Sequence, residues 1–239
     1  MFGKKNQFSE KFSVVIVAGG TSSRMQGVDK QAVFLGDFPV IVRTVRCFSN
    51  IPNIQEIVIV SREDFIPQLL EWVEEFNLDK VTSIVRGGDN RQNSVLNGIS
   101  ALSQDCDYFV IHDGARPFAD EELILRCMND AVRYGAATAS VPAKDTIKIS
   151  DENGFVVSTP DRAFLRITQT PQIFRKDWYL SAIQKANDDN LNFTDDCQLV
   201  ENIGEKVYLS LGSYFNIKIT TPEDLPIAQA IADFIDGEE

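Results

Sequence analysis

The sequence predicts an α/β fold, in which helices cover both faces of a doubly wound, mostly parallel sheet. Three observations support this class. Apolar runs of strand length alternate with stretches of helical periodicity, the composition is 44% hydrophobic and 24% charged, and a length of 239 residues suffices for one large domain. Strands that are joined through helices must cross over, and crossovers generate parallel sheets with both faces covered.

The elements follow one another in a regular order. Apolar or β-branched runs predict strands, and apolar residues three or four positions apart predict helices. The predicted strands are 13–17, 57–60, 81–85, 108–111 and 136–141, and the helices that accompany them are 40–48, 66–76, 95–102 and 123–132. After a break the pattern continues with a helix at 178–186, strands at 206–211 and 216–219, and a final helix that begins near Pro222.

The break begins after Pro142 and predicts a projecting β-hairpin. Residues 146–150 and 155–159 alternate in polarity around the turn sequence Asp-Glu-Asn-Gly. No helical pattern lies beside this segment, so we expect residues 143–171 to project as an arm from a single domain, 1–239. A projecting hairpin usually buries its apolar side against another subunit, which predicts a dimerisation arm and a homodimer.

Charge and cysteine content limit the classes of function. A net charge of −12 repels nucleic acid and anionic lipid, so we expect no nucleic-acid and no membrane partner. No apolar run approaches the length of a membrane span, and the polar residues 1–11 lack the apolar stretch of a secretory signal. The four cysteines form no CxxC pair, which disfavours a zinc knuckle or a disulfide framework and predicts a cytoplasmic protein.

Glycine-rich and charged segments follow the ends of several predicted strands, where open α/β sheets bind ligands. The loop after the first strand holds Gly19 and Gly20, followed by Arg24 and Lys30. Consecutive backbone N–H groups beside two cations, on an acidic protein, suggest a nucleoside triphosphate. Neither the GxGxxG dinucleotide spacing nor the Walker lysine–serine pair is present. Similar segments after later strands are 87–94, 112–117 and 216–220.

The order of these motifs along the chain is more specific than any one of them. The series is Arg24-Met25, Lys30-Gln31, Gly87-Gly88-Asp89 with Arg91 and Ser94, His112-Asp113 with Ala115-Arg116-Pro117, Asp145-Thr146, Gln169-Thr170-Pro171-Gln172, Thr194-Asp195-Asp196 and Asn216-Ile217-Lys218-Ile219-Thr220. From about residue 14 to 232 it resembles the 2-C-methyl-D-erythritol 4-phosphate cytidylyltransferases of the non-mevalonate isoprenoid pathway. One departure is Asp29, which stands where that family usually has proline and adds a carboxylate beside Lys30.

The resemblance implies a Rossmann-like fold of nucleotidyltransferase type and a reaction that joins CTP to 2-C-methyl-D-erythritol 4-phosphate. The products are 4-diphosphocytidyl-2-C-methyl-D-erythritol and pyrophosphate. Mg²⁺ or another divalent cation is the implied cofactor, with Asp113 as the nearest carboxylate. The implied residues are Arg24, Lys30 and Lys218 for the transition state; Ala18, Gly19, Gly20, Gly88, Asp89, Arg91, Ser94 and Asp113 for the nucleotide; and Arg116, Thr146, Arg162, Thr170, Thr194 and Asp195 for the acceptor.

The chemistry of this reaction suits a sequence with a single histidine. A phosphate monoester has a second pKa of about 6, so the attacking oxygen is largely ionised at neutral pH and needs no general base. The transition state instead needs positioning and neutralisation of negative charge. We therefore interpret His112 as a hydrogen-bonded structural residue rather than as a catalyst.

Two alternatives share much of this pattern. Ribitol 5-phosphate cytidylyltransferases are the nearest competitor, and a non-catalytic nucleotide-binding module could share the fold. The joint presence of Arg24, Lys30, Asp113 and Lys218 argues against the module, because a sensor needs no transition-state cations. For Asp195 and its neighbour Asp196, the alternative to acceptor binding is a pair of helix N-caps.

Overall fold

A seven-stranded sheet with helices on both faces organises the chain. The computed structural model describes residues 9–20, 25, 27, 29–103 and 105–237. The strands are β1 (Phe12–Val17), β2 (Phe34–Leu35), β3 (Phe38–Pro39), β4 (Ile54–Ser61), β5 (Val81–Arg86), β6 (Tyr108–Asp113), β7 (Ala136–Pro142), β8 (Ile149–Ser150), β9 (Val156–Ser158), β10 (Arg166–Arg175) and β11 (Tyr208–Leu211). The helices are α1 (Val40–Ser49), α2 (Ile66–Glu75), α3 (Arg91–Ala101), α4 (Glu121–Tyr134), α5 (Lys176–Asp188), α6 (Asp196–Glu201) and α7 (Asp224–Asp236).

The sheet has the order β11-β7-β10-β6-β1-β4-β5. All neighbouring strands are parallel except at β10, which runs antiparallel to both β6 and β7. The chain passes from β1 to β4 and β5 on one side, and then returns to β6 on the other side of β1. The loops after β1 and β6 therefore face each other across the point where the direction of winding reverses, which is where such sheets bind ligands.

Strand β1 shows why the central strands read as continuous apolar runs. Val14 and Ile16 belong to the core beneath α1, α2 and α4, whereas Val15 belongs to the core beneath α3, α5 and α6. Successive side chains of a strand point to opposite faces, so a strand covered on both faces must be apolar at every position. A third apolar cluster joins α7 to Leu35 and Phe118 at the end of the sheet near the ligand-binding loops.

Two local sequence predictions are corrected by the fold. The predicted strand at 216–219 is not formed, because this segment makes single bonds, such as that from Ile219 N–H to the carbonyl of Ala115, rather than a ladder. Residues 166–171, predicted as the end of the arm, are instead the first part of β10. Proline has no N–H for a ladder, and the β10–β7 register shifts between Thr168 and Gln172, on either side of Pro171.

The segment between β7 and β10 forms a two-stranded sheet of its own and leaves large apolar side chains exposed. Strands β8 and β9 pair antiparallel, with Ile149 opposite Ser158. Phe155 is 73% exposed and Phe164 is 84% exposed. Exposed aromatic rings are a surface suited to burial against a protein partner. Among the described residues, no helix is both long and apolar enough to cross a membrane.

Candidate active site

The carboxyl ends of the central strands surround a cleft of about 350 Å³. The loops after β1, β5 and β6 contribute most of its residues. The turn that carries Lys30 and the segment before α7 that carries Lys218 contribute the rest. Because these loops follow parallel strands, the fold brings segments that are distant in sequence to one edge of the sheet. The residues that line the cleft are Val17, Ala18, Gly19, Gly20, Lys30, Gln31, Gly88, Asp89, Asn90, Arg91, Ser94, Asp113, Ala115 and Lys218.

A buried carboxylate holds one of the two lysines of the cleft. Asp113 is the last residue of β6 and is 7% exposed. Its Oδ2 lies 3.0 Å from Nζ of Lys218 and accepts a hydrogen bond of 3.2 Å from Nε of Arg116. Burial by itself would raise the pKa of Asp113, but the positive charges of Lys218, Arg116 and Arg91 outweigh it and hold this pKa well below the usual range. Asp113 is therefore a permanent anion, and it orients Lys218.

Arg116 acts inside the protein rather than along the cleft wall. Besides its bond to Asp113, its Nη1 donates a hydrogen bond of 2.8 Å to the carbonyl of Asn216. Its side chain is 11% exposed. The guanidinium thus joins the end of β6 to the segment that carries Lys218, and the acceptor contact that the resemblance implies for Arg116 stays a prediction.

His112 and Thr170 form a chain of hydrogen bonds that runs from the carbonyl of Arg116 to the N–H of Asp113. His112 Nε2 lies 3.1 Å from the carbonyl of Arg116, and this nitrogen must be the donor because a carbonyl oxygen can only accept. Nδ1 then accepts from the Thr170 hydroxyl at 3.0 Å, and the same hydroxyl accepts from the Asp113 N–H at 3.0 Å. Burial lowers the pKa of His112 to about 4, so the ring is neutral at physiological pH. Both side chains hold the end of β6 in place.

Lys30 enters the cleft from the opposite side. It follows Asp29 in a turn, and its Nζ donates a hydrogen bond of 2.9 Å to the carbonyl of Ile219, next to Lys218. Two ammonium groups from separate segments of the chain therefore belong to one small cleft. Such an arrangement suits a ligand with several negative charges. Arg24, the third cation implied by the resemblance, lies outside the described residues.

The loop after β5 is closed by Ser94. Gly88 donates its N–H to Oγ of Ser94 at 3.0 Å, and this hydroxyl donates to the carbonyl of Asn90 at 2.8 Å. A side chain at position 88 would place its Cβ 2.5 Å from Cβ of Asn93, so only glycine fits. Asn90 caps α3 by accepting from Asn93 N–H at 2.8 Å, which directs the positive end of the helix toward the cleft.

Arg91 links this loop to the segment implied for the acceptor. Its Nη1 pairs with Oδ2 of Asp196, whose Oδ1 accepts from the hydroxyl of Tyr179 at 2.6 Å. Asp195 is half-buried at the N-terminus of α6 but makes no capping bond through its side chain, and its Oδ1 accepts from Nε2 of Gln172 at 2.7 Å. Asp195 thus occupies the N-cap position of α6 without a side-chain capping bond, and Asp196 is the first residue of the helix.

The other implied acceptor residues do not line this cleft. Thr146 and Arg162 are exposed on the arm, where Nη1 of Arg162 donates to the carbonyl of Lys144 at 2.6 Å. Thr194 is exposed just before α6. Within the described part of one chain, the nucleotide residues therefore meet in one place. Of the acceptor residues, Arg116 and Thr170 lie beside Asp113, whereas the others are on the arm or at the start of α6.

Four residues of the cleft wall were not among the candidate site residues, namely Val17, Gln31, Asn90 and Ala115. Three of them carried a readable signal. Gln31 and Ala115 belong to the motifs named above, and Asn90 is a preferred N-cap residue immediately before a predicted helix. Val17 is the last residue of an apolar strand, for which the sequence pattern predicts only a place in the core.

Comparisons with known proteins agree with one another. Residues 12–233 match the family model IspD, described as 2-C-methyl-D-erythritol 4-phosphate cytidylyltransferase. A protein of that name from Clostridium botulinum (strain 657 / Type Ba4) is 44% identical over 224 residues, which are 93% of this chain and 98% of that protein. Another, from Caldanaerobacter subterraneus subsp. tengcongensis, is 44% identical over 219 residues, which are 91% of this chain and 96% of that protein.

Solved structures give the same result. The 4-diphosphocytidyl-2C-methyl-D-erythritol synthase from Anaerococcus prevotii superposes with a TM-score of 0.82 at 32% identity and covers 92% of this chain and 97% of its own. The 2-C-methyl-D-erythritol 4-phosphate cytidylyltransferase from Thermus thermophilus gives 0.76 at 28% identity, over 93% of this chain and 98% of its own. The structural similarity thus extends over more than nine-tenths of this chain.

Proposed function

This chain belongs to the 2-C-methyl-D-erythritol 4-phosphate cytidylyltransferase family, and we propose that its cleft joins CTP to 2-C-methyl-D-erythritol 4-phosphate. The observation that carries the proposal is the convergence of Lys30, Lys218 and Asp113 with the backbone of residues 18–20 around one cleft. A triphosphate that is attacked at its α-phosphorus needs positive charge and backbone N–H groups around its phosphate oxygens. The comparisons favour this acceptor over ribitol 5-phosphate, because the relatives described above are named for methylerythritol phosphate.

The reaction is a displacement at phosphorus. A phosphate oxygen of the acceptor forms a bond to the α-phosphorus of CTP, and the bond from that phosphorus to the oxygen bridging to the β-phosphorus breaks. The electron pair of the broken bond leaves with pyrophosphate. The nucleophile is already an anion at neutral pH, so no protein base is required. Lys30 and Lys218, together with Arg24, neutralise the charge that builds on the phosphate oxygens.

Asp113 positions the Lys218 ammonium for this neutralisation of phosphate charge. A lysine ammonium sits on a flexible stem, and the buried, permanently ionised carboxylate at 3.0 Å holds it at the cleft before the nucleotide arrives. Arg116 fixes the carboxylate in turn through its bond to Oδ2. This arrangement pre-organises the positive charge, so less reorganisation is needed in the transition state.

We assign the cytidine end of CTP to the loop after β5. Gly88, Asp89 and Ser94 line the cleft there, with the backbone of Ala18 and Gly19 opposite. The N-terminus of α3 adds backbone donors and a favourable dipole toward anions. A narrow, backbone-lined wall favours a pyrimidine over a purine by size.

The donor set fits a divalent cation that the protein holds weakly. No group of three or more His, Cys, Asp or Glu side chains that could hold a metal occurs among the described residues. Asp113 uses Oδ2 for both Lys218 and Arg116, which leaves its other oxygen as a candidate ligand. Mg²⁺ commonly takes one protein carboxylate together with substrate phosphates and water. When bound, it would supply further neutralisation of the triphosphate.

We further propose that the chain acts as a homodimer in which each arm reaches the partner's active site. The support is the exposure of Phe155 and Phe164 together with the position of Thr146 and Arg162, which lie on the arm and away from the cleft of their own chain. Arg162 would then hold the acceptor phosphate across the interface, and Thr194 and Asp195 the acceptor hydroxyls. A cytoplasmic location is supported by the four free cysteine thiols.

One assay tests the proposed function. Pyrophosphate release from CTP is measured with 2-C-methyl-D-erythritol 4-phosphate or ribitol 5-phosphate as acceptor. We expect kcat/KM to be far larger with the methylerythritol phosphate. A larger value with ribitol 5-phosphate would reassign the acceptor, and no release with either compound would leave the nucleotide-binding module as the better description.

A further inference from the structure

A salt bridge ties the turn that carries Lys30 to the end of a central strand. Nη2 of Arg62 lies 2.8 Å from Oδ2 of Asp29. Arg62 directly follows β4, which is flanked by β1 and β5 and is therefore held rigidly in the sheet. The two side chains are 25% and 24% exposed, so water screens the pair only in part. The turn is thus anchored to the sheet by a charged contact.

Asp29 also builds the turn itself. The N–H of Ala32 donates to the carbonyl of Asp29 at 2.9 Å, which closes a four-residue turn with Lys30 in its second position. The N–H of Gln31 donates to Oδ1 of Asp29 at 3.1 Å. Aspartate is favoured at the first position of such turns because its side chain can accept this second bond. The Asp29 carboxylate therefore stabilises the turn through the bond to Oδ1 and holds it against Arg62 through Oδ2.

The geometry points to a positioning role: we propose that Asp29 and Arg62 place Lys30 for its action on the triphosphate. The backbone of Lys30 is fixed by the anchored turn, and its Nζ spans the cleft to the carbonyl of Ile219. Neither Asp29 nor Arg62 lines the cleft, so they act through Lys30 and not on the substrate directly. A fixed backbone at Lys30 reduces the conformational freedom that its long side chain must lose in the transition state. This inference rests on the proposed function of Lys30.

The chain supplies its own control for this contact. Arg62 binds a second carboxylate, Asp64, with 3.1 Å between Nε and Oδ1. Asp64 is 74% exposed and follows Arg62 by two residues, so it is not part of the turn at 29–32. The substitution Asp64→Asn removes one charged partner of the same arginine without touching the turn, whereas Asp29→Asn keeps an oxygen for the Gln31 N–H and removes the charge that faces Arg62.

The test is a double-substitution cycle with kcat and KM measured separately. Asp29→Asn and Arg62→Gln should each lower kcat by about threefold to tenfold, with a smaller change in the KM for CTP. The double variant should be no slower than the slower single variant, because both changes break one contact. Asp64→Asn should stay within about twofold of the unsubstituted enzyme.

A second measurement asks whether the effect passes through Lys30. In the Lys30→Ala background, Asp29→Asn should cause no further loss of kcat. A further loss by the same factor, additive effects in the cycle, or equal effects of Asp29→Asn and Asp64→Asn would each overturn the inference. If Lys30→Ala by itself kept the full kcat, the proposed function of Lys30 would fail as well. A slow Lys30→Ala with a fully active Asp29→Asn would overturn the positioning role alone.

Discussion

The hydroxyl of Tyr179 donates a hydrogen bond of 2.6 Å to Oδ1 of Asp196, and both side chains are buried. The other oxygen of Asp196 pairs with Arg91 in the wall of the nucleotide cleft. Burial and the neighbouring Asp196 raise the pKa of Tyr179 well above its usual value, so the phenol remains a donor at every working pH. A residue of α5 thereby determines how firmly an arginine of α3 is held.

We predict that Tyr179→Phe loosens Arg91. The change removes one buried hydrogen bond to a charged group, so the free energy of unfolding should fall by about 1.5–3 kcal/mol. The KM for CTP should rise severalfold, because Arg91 keeps its charge but loses part of the support of its counterion. Urea unfolding and steady-state kinetics measure the two effects.

The matched control for this prediction is Tyr134→Phe. Tyr134 is 38% exposed and stacks on Tyr208 at 4.3 Å between ring centroids, far from the cleft wall. Removal of the Tyr134 hydroxyl should change the free energy of unfolding by less than about 0.5 kcal/mol. Equal effects of the two substitutions on the KM for CTP would contradict the role given to Tyr179.

Removal of either cleft lysine should reduce turnover more than binding. For Lys30→Ala and Lys218→Ala we expect kcat to fall by about a hundredfold or more, because each ammonium acts on charge that develops in the transition state. Lys185→Ala is the control, since this lysine is exposed on α5 and pairs only with Asp189 among the contacts seen. A rise in KM with an unchanged kcat would instead assign the two lysines to ground-state binding.

Stability should depend on pH through the single histidine. Burial lowers the pKa of His112 to about 4 in the folded state, against about 6.5 in the unfolded chain. At a pH between about 4 and 6.5, the unfolded chain binds a proton on this histidine that the folded protein does not bind. The free energy of unfolding is therefore highest above pH 6.5 and decreases as the pH falls toward 4. We expect a loss of about 2 kcal/mol between pH 7 and pH 5, measured by urea unfolding.

An independent readout accompanies this prediction. The imidazole resonances of the one histidine should not titrate above pH 5 in the folded protein, because the ring is already committed to Thr170 and to the carbonyl of Arg116. A native titration midpoint near 6.5 would show that the ring is accessible and would remove the basis of the expected pH dependence.

A mixture of two inactive variants should regain activity if the arm serves the partner subunit. Lys30→Ala and Arg162→Ala are prepared separately and mixed under conditions that exchange subunits. If Arg162 acts on the partner's site, each mixed dimer has one site with both defects and one with neither. Random exchange makes about half of the dimers mixed, so about a quarter of all sites should be intact.

The mixture should stay inactive if Arg162 serves its own subunit. Every site then carries one defect, and mixing restores no activity. Absence of activity, with subunit exchange verified by mass spectrometry of tagged subunits, would refute the shared site. The experiment thereby separates the dimeric arrangement from the chemistry of the cleft.

Nucleotide choice gives a further prediction. CTP should be used far better than ATP or GTP with the same acceptor, because Gly88 and Ser94 form a tight loop that limits the size of the base. Comparison of kcat/KM for the three triphosphates measures this. A purine triphosphate with a comparable value would rule out size selection by this loop.

Much of the architecture was readable in the sequence. Apolar runs and helical spacing are local patterns, and they predicted β1, β4, β5, β6 and β7 and the helices that follow them to within a few residues. The positions of the ligand-binding loops followed from the same information, since the carboxyl ends of parallel strands always share one edge. The motifs at these ends then predicted which residues would meet in the cleft.

The tertiary structure decided the contacts between segments that no local pattern connects. Strand β10 enters between β6 and β7 in the antiparallel direction although Pro171 interrupts its ladder, because burial of Ile173 and Phe174 on the two faces of the sheet outweighs the missing donor. The pairing of Asp29 with Arg62 and of Asp196 with Tyr179 likewise depends on which loops and helices become neighbours. Side-chain identity is encoded locally, but the partner of a charged group is set by packing over the whole sheet.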